Sequence, residues 1–412
     1  MKGLCLWLGL SAVAVAQPWT LPQAEANALS SNPSAGSARQ QVRQAQARVQ
    51  EAQAGLHPQL TFTTQLGGSS ADVLQPPPPY ETFYTFSNSL NLTIPVGSRP
   101  GLLVAQAESQ LAATQAQSQS ARRTLVGQVV TAYFNILKDA ALLEVARETE
   151  AEARRQLDDA QKRQRAGDVP ELDVIKAQVP VTTAEATVLT AANTLHVAQI
   201  TFNDLMGQNA ADVPTLQDVA LGQVPWPLEE AQKIALARSP EVTAAQANVQ
   251  ADAAALASAR HYHTPTLTVS ATDLRSSDVT AFSREDTVQA QAVFPVSDAG
   301  LGKAQVREAE AALEGARFGL ATARKAALLN SGTAWANAQT LLAQVDVART
   351  AQTTAQISYE KTREGYQNGL FPLTDVLAAA STLTQARLNY IAARYDAAAA
   401  VETLRLQVEG NP

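Results

Sequence analysis

The sequence predicts a mainly α-helical chain with a small β part, written as two copies of one plan, whose strands are too few to close a barrel alone. Three observations predict this. Matching signals recur at an almost constant offset, four short stretches alternate apolar and polar residues, and two helical stretches far exceed globular length.

The duplication is read from paired signals. Pro18-Trp19-Thr20-Leu21 recurs as Pro225-Trp226-Pro227-Leu228, an offset of 207, and Asn32-Pro33 with Pro58 recur at that offset as Ser239-Pro240 with Pro265. Ile94-Pro95-Val96 returns as Phe294-Pro295-Val296 at offset 200, and Gly167 with Asp173-Val174 as Gly369 with Asp375-Val376 at offset 202. Ordered matches with a small drift imply that loops differ while elements repeat. The expected organisation is a leader at 1–16, a first copy at 17–220 and a second at 221–412.

The leader is read from Met1-Lys2, an apolar stretch from Gly3 to Val15, and the small-x-small site Ala14-Val15-Ala16 before Gln17. About 13 apolar residues fall short of the roughly 20 that a spanning helix needs. Cys5, the one cysteine, lies inside that stretch, so no disulfide is expected.

Each copy opens with a helical stretch, 21–55 or 228–260, rich in polar residues with apolar or Ala positions every three or four, around an Asn-Pro or Ser-Pro turn. A proline follows and the period falls to two. Leu60, Phe62 and Leu66 oppose Thr61, Thr63 and Gln65, and Leu90, Leu92 and Ile94 oppose Ser89, Asn91 and Thr93. In the second copy Leu267, Val269 and Ala271 oppose Thr266, Thr268 and Ser270, while Val288, Ala290, Ala292 and Phe294 oppose Thr287, Gln289 and Gln291. These predict strands at about 59–66, 84–95, 266–273 and 286–295. Gly67 to Thr82, with Pro76-Pro77-Pro78-Pro79, and Asp273 to Asp286 read as exposed loops.

A long helix follows in each copy, from about Gly101 to Arg165 and from about Gly302 to Arg363, each roughly 95 Å at 1.5 Å per residue. In the second copy Val306, Leu313, Leu320, Ala327, Ala334, Leu341, Ala348 and Ala355 form a seven-residue seam. In the first, Leu125, Val129, Ala132, Ile136, Leu143 and Ala146 keep a three-four rhythm. Gly127, Gly315, Gly319 and Gly332 mark either close backbone approach or tolerated helix glycines. A short turn and a return helix of some 35 residues end each copy, and Pro180 is expected to kink the first return helix. The opening helix makes up the length that the return helix lacks.

Aromatics make up 5% of the chain and the helices are full of Ala, Gln and Thr, which suits a thin helical wall better than a thick core. The net charge of −7, one unit more negative without Lys2, argues against a nucleic-acid partner. No phosphate loop, nucleophile elbow or zinc-helix motif is present, and His261-Tyr262-His263, the one histidine pair with ligand-like spacing, lacks an obvious third ligand. An enzyme, a cofactor and a metal are therefore not expected.

Alternating strands with one apolar face match a transmembrane β-barrel, but four cannot close one, since backbone groups in lipid must all be paired and about eight strands is the usual minimum. Three copies supply 12. The ordered signals Leu21-Pro22-Gln23-Ala24 through Asn32-Pro33 to Pro58, Leu228-Glu229-Glu230-Ala231 through Ser239-Pro240 to Pro265, and the tips with Gly167 and Gly369 resemble the TolC-like outer-membrane efflux proteins over essentially the whole mature chain. The resemblance implies a homotrimer with a 12-stranded β-barrel in the outer membrane and antiparallel helical hairpins forming an α-barrel across the periplasm. It further implies a passive conduit of a tripartite efflux pump or type I secretion system, served by a periplasmic adaptor and an inner-membrane pump or transporter. The alternative is a non-conducting periplasmic coiled-coil scaffold or envelope spacer.

By the same resemblance Tyr366 and Asp375 stand at the positions of the periplasmic gate tyrosine and the first constriction aspartate. The gate arginine position holds Phe371 and the second aspartate position Ala378, which puts the arginine–tyrosine lock in doubt. Three Asp375 side chains would form a cation-attracting ring; equally, Asp375 could serve the start of its helix through the helix dipole. The tips, Gly167, Asp168, Val169 and Glu171 in one copy and Gly369, Leu370 and Thr374 in the other, are where the family meets its adaptor; the glycines also suit plain turn geometry.

Overall fold

The computed structural model describes residues 18–72, 80–277 and 282–410. The expected leader and the Pro76-Pro77-Pro78-Pro79 stretch lie outside them. Twelve elements run through the described residues in two matching sets of six. The first set is α1 (Leu21–Ser31), α2 (Pro33–Ala54), β1 (Gln59–Asp72), β2 (Tyr80–Ile94), α3 (Arg99–Ala166) and α4 (Glu171–Met206); the second is α5 (Leu228–Arg238), α6 (Pro240–Arg260), β3 (Thr266–Ser277), β4 (Phe282–Val293), α7 (Leu301–Gln367) and α8 (Leu373–Glu409). The chain divides into two compact units.

One unit, Ala38–Gln119 with Pro240–Ala326, holds the strands. They form one antiparallel sheet in the order β1-β2-β3-β4. Register carries the alternation across it. Leu60 pairs with Leu92 and Phe62 with Leu90, then Leu92 with Val269 and Leu90 with Ala271, then Val269 with Ala290 and Ala271 with Val288. Directly paired residues share a side, so the four apolar sets make one continuous face. The strands reach further toward the hairpin turns than the alternation suggested, because β1–β2 and β3–β4 pairing continues through Gly67–Asp72 and Asp273–Ser277, where the composition reads as loop. Ladder hydrogen bonds do not depend on side-chain polarity. The helical part of this unit buries mostly small residues, including Ala113, Ala116, Ala247 and Ala251. At the helix-to-strand join, His261 and His263 each donate a ring N–H to a carbonyl, of Ala257 and Pro295, and Tyr262 lies flat on Gly302, where a β-carbon would come within 2.1 Å of its ring.

The other unit runs up to Ser37, with Ser120–Ser239 and from Ala327 onward. Its main core gathers Val126, Val129, Val130, Tyr133 and Phe134 of α3 with Phe202 and Met206 of α4, and Leu21, Ala24 and Ala28 of α1. A second cluster joins Ala231, Ala338, Val401, Leu404 and Val408. Thr20 and Gln23 start α1 with a reciprocal capping box.

The opening helical stretches are each broken in two, at Asn32 and at Ser239, because a proline follows and forces the preceding residue to extended backbone. The return helices end at these breaks. Asn32 Nδ2 and Ser31 Oγ donate to the Leu205 and Met206 carbonyls at 3.0 and 2.8 Å, satisfying groups that a helix C-terminus leaves orphaned. Gly207 closes α4 in the left-handed region at φ 64°.

One expectation about the long helices needs adjusting. The seven-residue seam in α7 is only half-buried over most of its length, and the buried column is its neighbour Ser331, Ala338, Val345 and Tyr359. Its serine and tyrosine hid it from an apolar pattern. Within the single chain a β-carbon at Gly127, Gly315 or Gly319 would meet nothing within 4 Å, whereas Gly332 faces a close neighbour, the Gln232 amide at 3.1 Å. α4 runs as one helix through Pro180, with the Thr182 and Thr183 hydroxyls donating to the Val179 carbonyl.

Candidate functional site

The tips of the two hairpins lie in the same unit and close in similar ways. At the first, Gly167 turns the chain at φ 84°, its N–H bonded to the Gln164 carbonyl while Asp168 N–H reaches Arg163 O at 2.9 Å. At the second, Gly369 sits at φ 74°, with its N–H on Tyr366 O and Leu370 N–H on Gly365 O at 2.8 Å. A left-handed residue after the last helical turn suits glycine because a β-carbon would be strained there. A proline, Pro170 or Pro372, then occupies each N-cap without a side-chain bond.

Of the residues read as adaptor contacts, Gly167, Asp168, Glu171, Gly369, Leu370 and Thr374 are exposed and Val169 is half-buried. Asp375 is exposed in the first turn of α8, its backbone N–H bonded to the Pro372 carbonyl. Phe371 is 47% exposed and folds back over Gly365, where an added β-carbon would fall 2.2 Å from the ring.

Tyr366 sits between two buried clusters. One contains Ala160, Ala177 and Leu373; the other contains Ala355, Tyr359, Val376, Leu383 and Ala386. The Arg163 guanidinium lies over its ring, 4.7 Å from the centroid, and also donates to the Gln367 carbonyl at 3.4 Å. The Tyr366 hydroxyl is buried and, among the described residues, has no hydrogen-bond partner. Tyr366 is therefore brought together with Arg163, whereas Phe371 packs on Gly365 and Asp375 is exposed on the surface.

Further along the same helices a second contact joins the copies. Tyr359 of α7 donates to the Glu152 carboxylate of α3, and Gln156 donates to the Tyr359 hydroxyl at 3.3 Å. Burial pushes the Glu152 carboxyl up, but the Tyr359 hydroxyl and the Arg155 guanidinium outweigh it and hold the group below its ordinary value. Lys138–Asp396 at 2.9 Å and Glu148–Arg387 at 3.4 Å tie α3 to α8, and Arg154–Glu185 at 3.0 Å ties α3 to α4. The order across this layer is thus α4, α3, α8, with α7 against α3 and α8.

Comparison with known proteins decides what this arrangement belongs to. The sequence pattern of the family described as Outer membrane efflux protein matches residues 26–208 and 232–408, one match in each copy. The chain belongs to the outer membrane efflux protein family. It is 25% identical over 296 residues to the outer membrane protein TolC of Escherichia coli K12, covering 68% of this chain and 60% of that one. The match thus spans about 60% of the length of this TolC relative. The cobalt-zinc-cadmium resistance protein CzcC of Cupriavidus metallidurans is 26% identical over 313 residues, 74% of this chain and 73% of that one. In fold, the chain superposes on the crystal structure of CusC with a TM-score of 0.84 at 21% identity, covering 95% and 92% of the two chains. On VceC of Vibrio cholerae the TM-score is 0.80 at 20% identity, covering 95% and 96%.

Within this efflux-family fold, sequence reasoning missed Arg163. Its one local signal was a basic residue in the last turn of α3, shared with Arg165. Nothing in the sequence indicated which of the two reaches a tyrosine some 200 residues away.

Proposed function

We propose that the chain is the outer-membrane channel subunit of a tripartite efflux pump or type I secretion system, acting as a passive conduit rather than as an enzyme. The observation that carries this reading is the sheet. Leu60, Phe62 and Val288 on its apolar face are 63, 65 and 80% exposed in one chain, and β1 and β4 each have one unpaired edge. Lipid suits that face, and pairing edge to edge among three copies gives a closed barrel of 12 strands in which no backbone group is left open. Helices beyond the barrel then carry the conduit into the periplasm.

In this reading Gly167, Asp168, Val169 and Glu171 with Gly369, Leu370 and Thr374 receive a periplasmic adaptor, which links the trimer to an inner-membrane pump. Asp375, exposed at the start of α8, forms a threefold carboxylate ring that favours cations. One relative is named for cobalt, zinc and cadmium resistance, so divalent cations belong among the cargoes to be tried.

The test is the mass of the purified mature protein by light scattering with and without mild detergent, followed by conductance in a planar bilayer. The expected result is a detergent-requiring trimer with a cation-preferring pore, and a loss of that preference in Asp375→Asn. A stable, detergent-free monomer that passes no current would instead favour the non-conducting scaffold.

A further inference from the structure

We propose that the outward face of the sheet carries a binding site for the phosphate of an outer-leaflet lipid headgroup, built by Arg275 of β3 and Arg284 of β4. The proposal rests on the channel reading, since only a barrel wall turns this face to lipid.

The site follows from carrying the register past the apolar rows. Leu60, Leu92, Val269 and Ala290 share one row, and Phe62, Leu90, Ala271 and Val288 the next toward the hairpin turns. One step further on the same face stand Thr64, Asn88, Asp273 and Asp286, and then Leu66, Phe86, Arg275 and Arg284. Side chains alternate along a regular strand, so these four charges share the side of the leucines and valines. Pairing of sheet edges between copies covers backbone groups and leaves this face as it is. A charge on the lipid side of a barrel costs most at the bilayer midplane and little near its surface. The hydrocarbon therefore ends at the Asp273–Asp286 row, with the apolar rows inside it and the arginine row in the headgroup layer.

The chemistry of the arginine row fits a lipid phosphate. Arg275 and Arg284 are directly opposite each other in the ladder, an arrangement that like charges disfavour without an anion beside them. Asp273 supplies one on the hydrocarbon side, 3.3 Å from Arg275 and 3.4 Å from Arg284, and Asp286 lies 3.0 Å from Arg284. These ion pairs are made through Nε and Nη2, so the Nη1 end of each guanidinium takes no part in them. Both arginine side chains are more than half exposed, and a guanidinium binds phosphate through its planar fork. What selects a lipid over free phosphate is the surroundings. Leu66 and Phe86 stand in the arginine row, Tyr84 and Phe282 one step further out, and Leu66 and Phe282 are 77 and 91% exposed. Large apolar groups around exposed arginines suit acyl chains and the aromatic belt of a membrane interface.

The test is native mass spectrometry of the detergent-solubilised protein, with a metal chelator present, against bisphosphorylated lipid A, its dephosphorylated form and inorganic phosphate. Wild type is expected to hold the phosphorylated lipid roughly ten- to thirtyfold more tightly than the dephosphorylated one, the scale of two arginines at a charged lipid surface. Arg275→Gln with Arg284→Gln should remove that preference. Arg275→Lys with Arg284→Lys keeps the charge without the fork and should retain only part of it. Equal binding of the two lipids by wild type overturns the site without reference to any variant. A preference that survives the glutamine pair overturns its assignment to these arginines. Displacement of the lipid by an equal concentration of inorganic phosphate would mean a free-phosphate site and overturn the lipid reading. Conductance in a planar bilayer separates the two levels. A conducting trimer without phosphate preference loses the headgroup site alone, whereas a detergent-free monomer that passes no current removes the channel reading and the headgroup site with it.

Discussion

The two copies meet the same structural need in the tip-containing unit with different side chains. In the first, Tyr133 of α3 is fully buried and shares its one hydroxyl proton between the Gln217 carbonyl at 2.6 Å and the Trp19 carbonyl at 2.9 Å. In the second, Trp335 of α7 donates its indole N–H to the Trp226 carbonyl at 2.9 Å. Trp19 and Trp226 are matched at offset 207, Tyr133 and Trp335 at 202. Around this shared clip the filling differs. Phe202 and Met206 of α4 correspond to Leu404 and Val408 of α8, and Val129, Val130 and Phe134 of α3 to Ser331, Gly332 and Ala336 of α7. What persists through duplication is a polar fastening of the chain entering each copy, while core volume is free to shift between the copies.

The largest effect should come from removing that volume. Phe202→Ala is expected to lower stability by about 3–5 kcal/mol, and Leu404→Ala by about 2–5 kcal/mol with its centre lower, because a ring leaves the larger cavity. Thermal midpoints of the two variants, read by tryptophan fluorescence, check the order. A larger loss in Leu404→Ala would mean that the second copy, with its smaller residues, is the less able to collapse around a void.

Next come the clips. Tyr133→Phe keeps the ring but leaves the Gln217 carbonyl without its donor, while the Trp19 carbonyl keeps the Gln217 N–H at 3.0 Å, an expected loss of about 1–3 kcal/mol. Burial pushes the Tyr133 phenol up to about 12, against the Gln217 hydrogen bond, so it remains a donor at any ordinary pH. Trp335→Phe strands a single carbonyl, and its hydrogen-bond loss should stay near 1 kcal/mol. Equal losses would erase the distinction between a fastening by a fully buried hydroxyl and one by a half-buried indole.

The comparison also explains what could be read from the sequence. Leu60, Phe62, Leu90 and Leu92 announced their face because strand period depends on side-chain polarity, and the first stripe, Leu125 to Ala146, is buried throughout. The buried column of α7 was illegible because Ser331 satisfies its own hydroxyl on the Ala327 carbonyl, 2.8 Å away, and so sits in a core as a small residue would. The strand ends near the hairpin turns were misread because their pairing is backbone to backbone. At the tips the glycines were legible from turn chemistry, whereas the Arg163–Tyr366 and Glu152–Tyr359 contacts join residues some 200 apart and depend on how α3 and α7 come together.

The smallest effect concerns a charge that the second copy lacks. Glu25 of α1 corresponds at offset 207 to Gln232 of α5. Burial, and then the nearby Glu402 carboxylate, push Glu25 up to about 7, with Arg405 of α8 pulling the other way. An acid whose folded value is raised binds more protons in the folded chain than in the unfolded one between its ordinary 4.5 and about 7, so its ionisation makes stability fall as pH rises through that window. Below 4.5 it contributes nothing of either sign. Glu25→Gln installs the residue of the second copy and should therefore match wild type at pH 4 and exceed it in thermal midpoint at pH 8, the gap opening between about pH 4.5 and 7. Because Glu25 is only half-buried, solvent screening keeps that gap small. Taking the difference between the two proteins removes the titration of every other carboxylate. A gap that stays constant from pH 4 to pH 8 would mean that the charge on Glu25 is not what separates the two copies here, and that the substitution acts through packing alone.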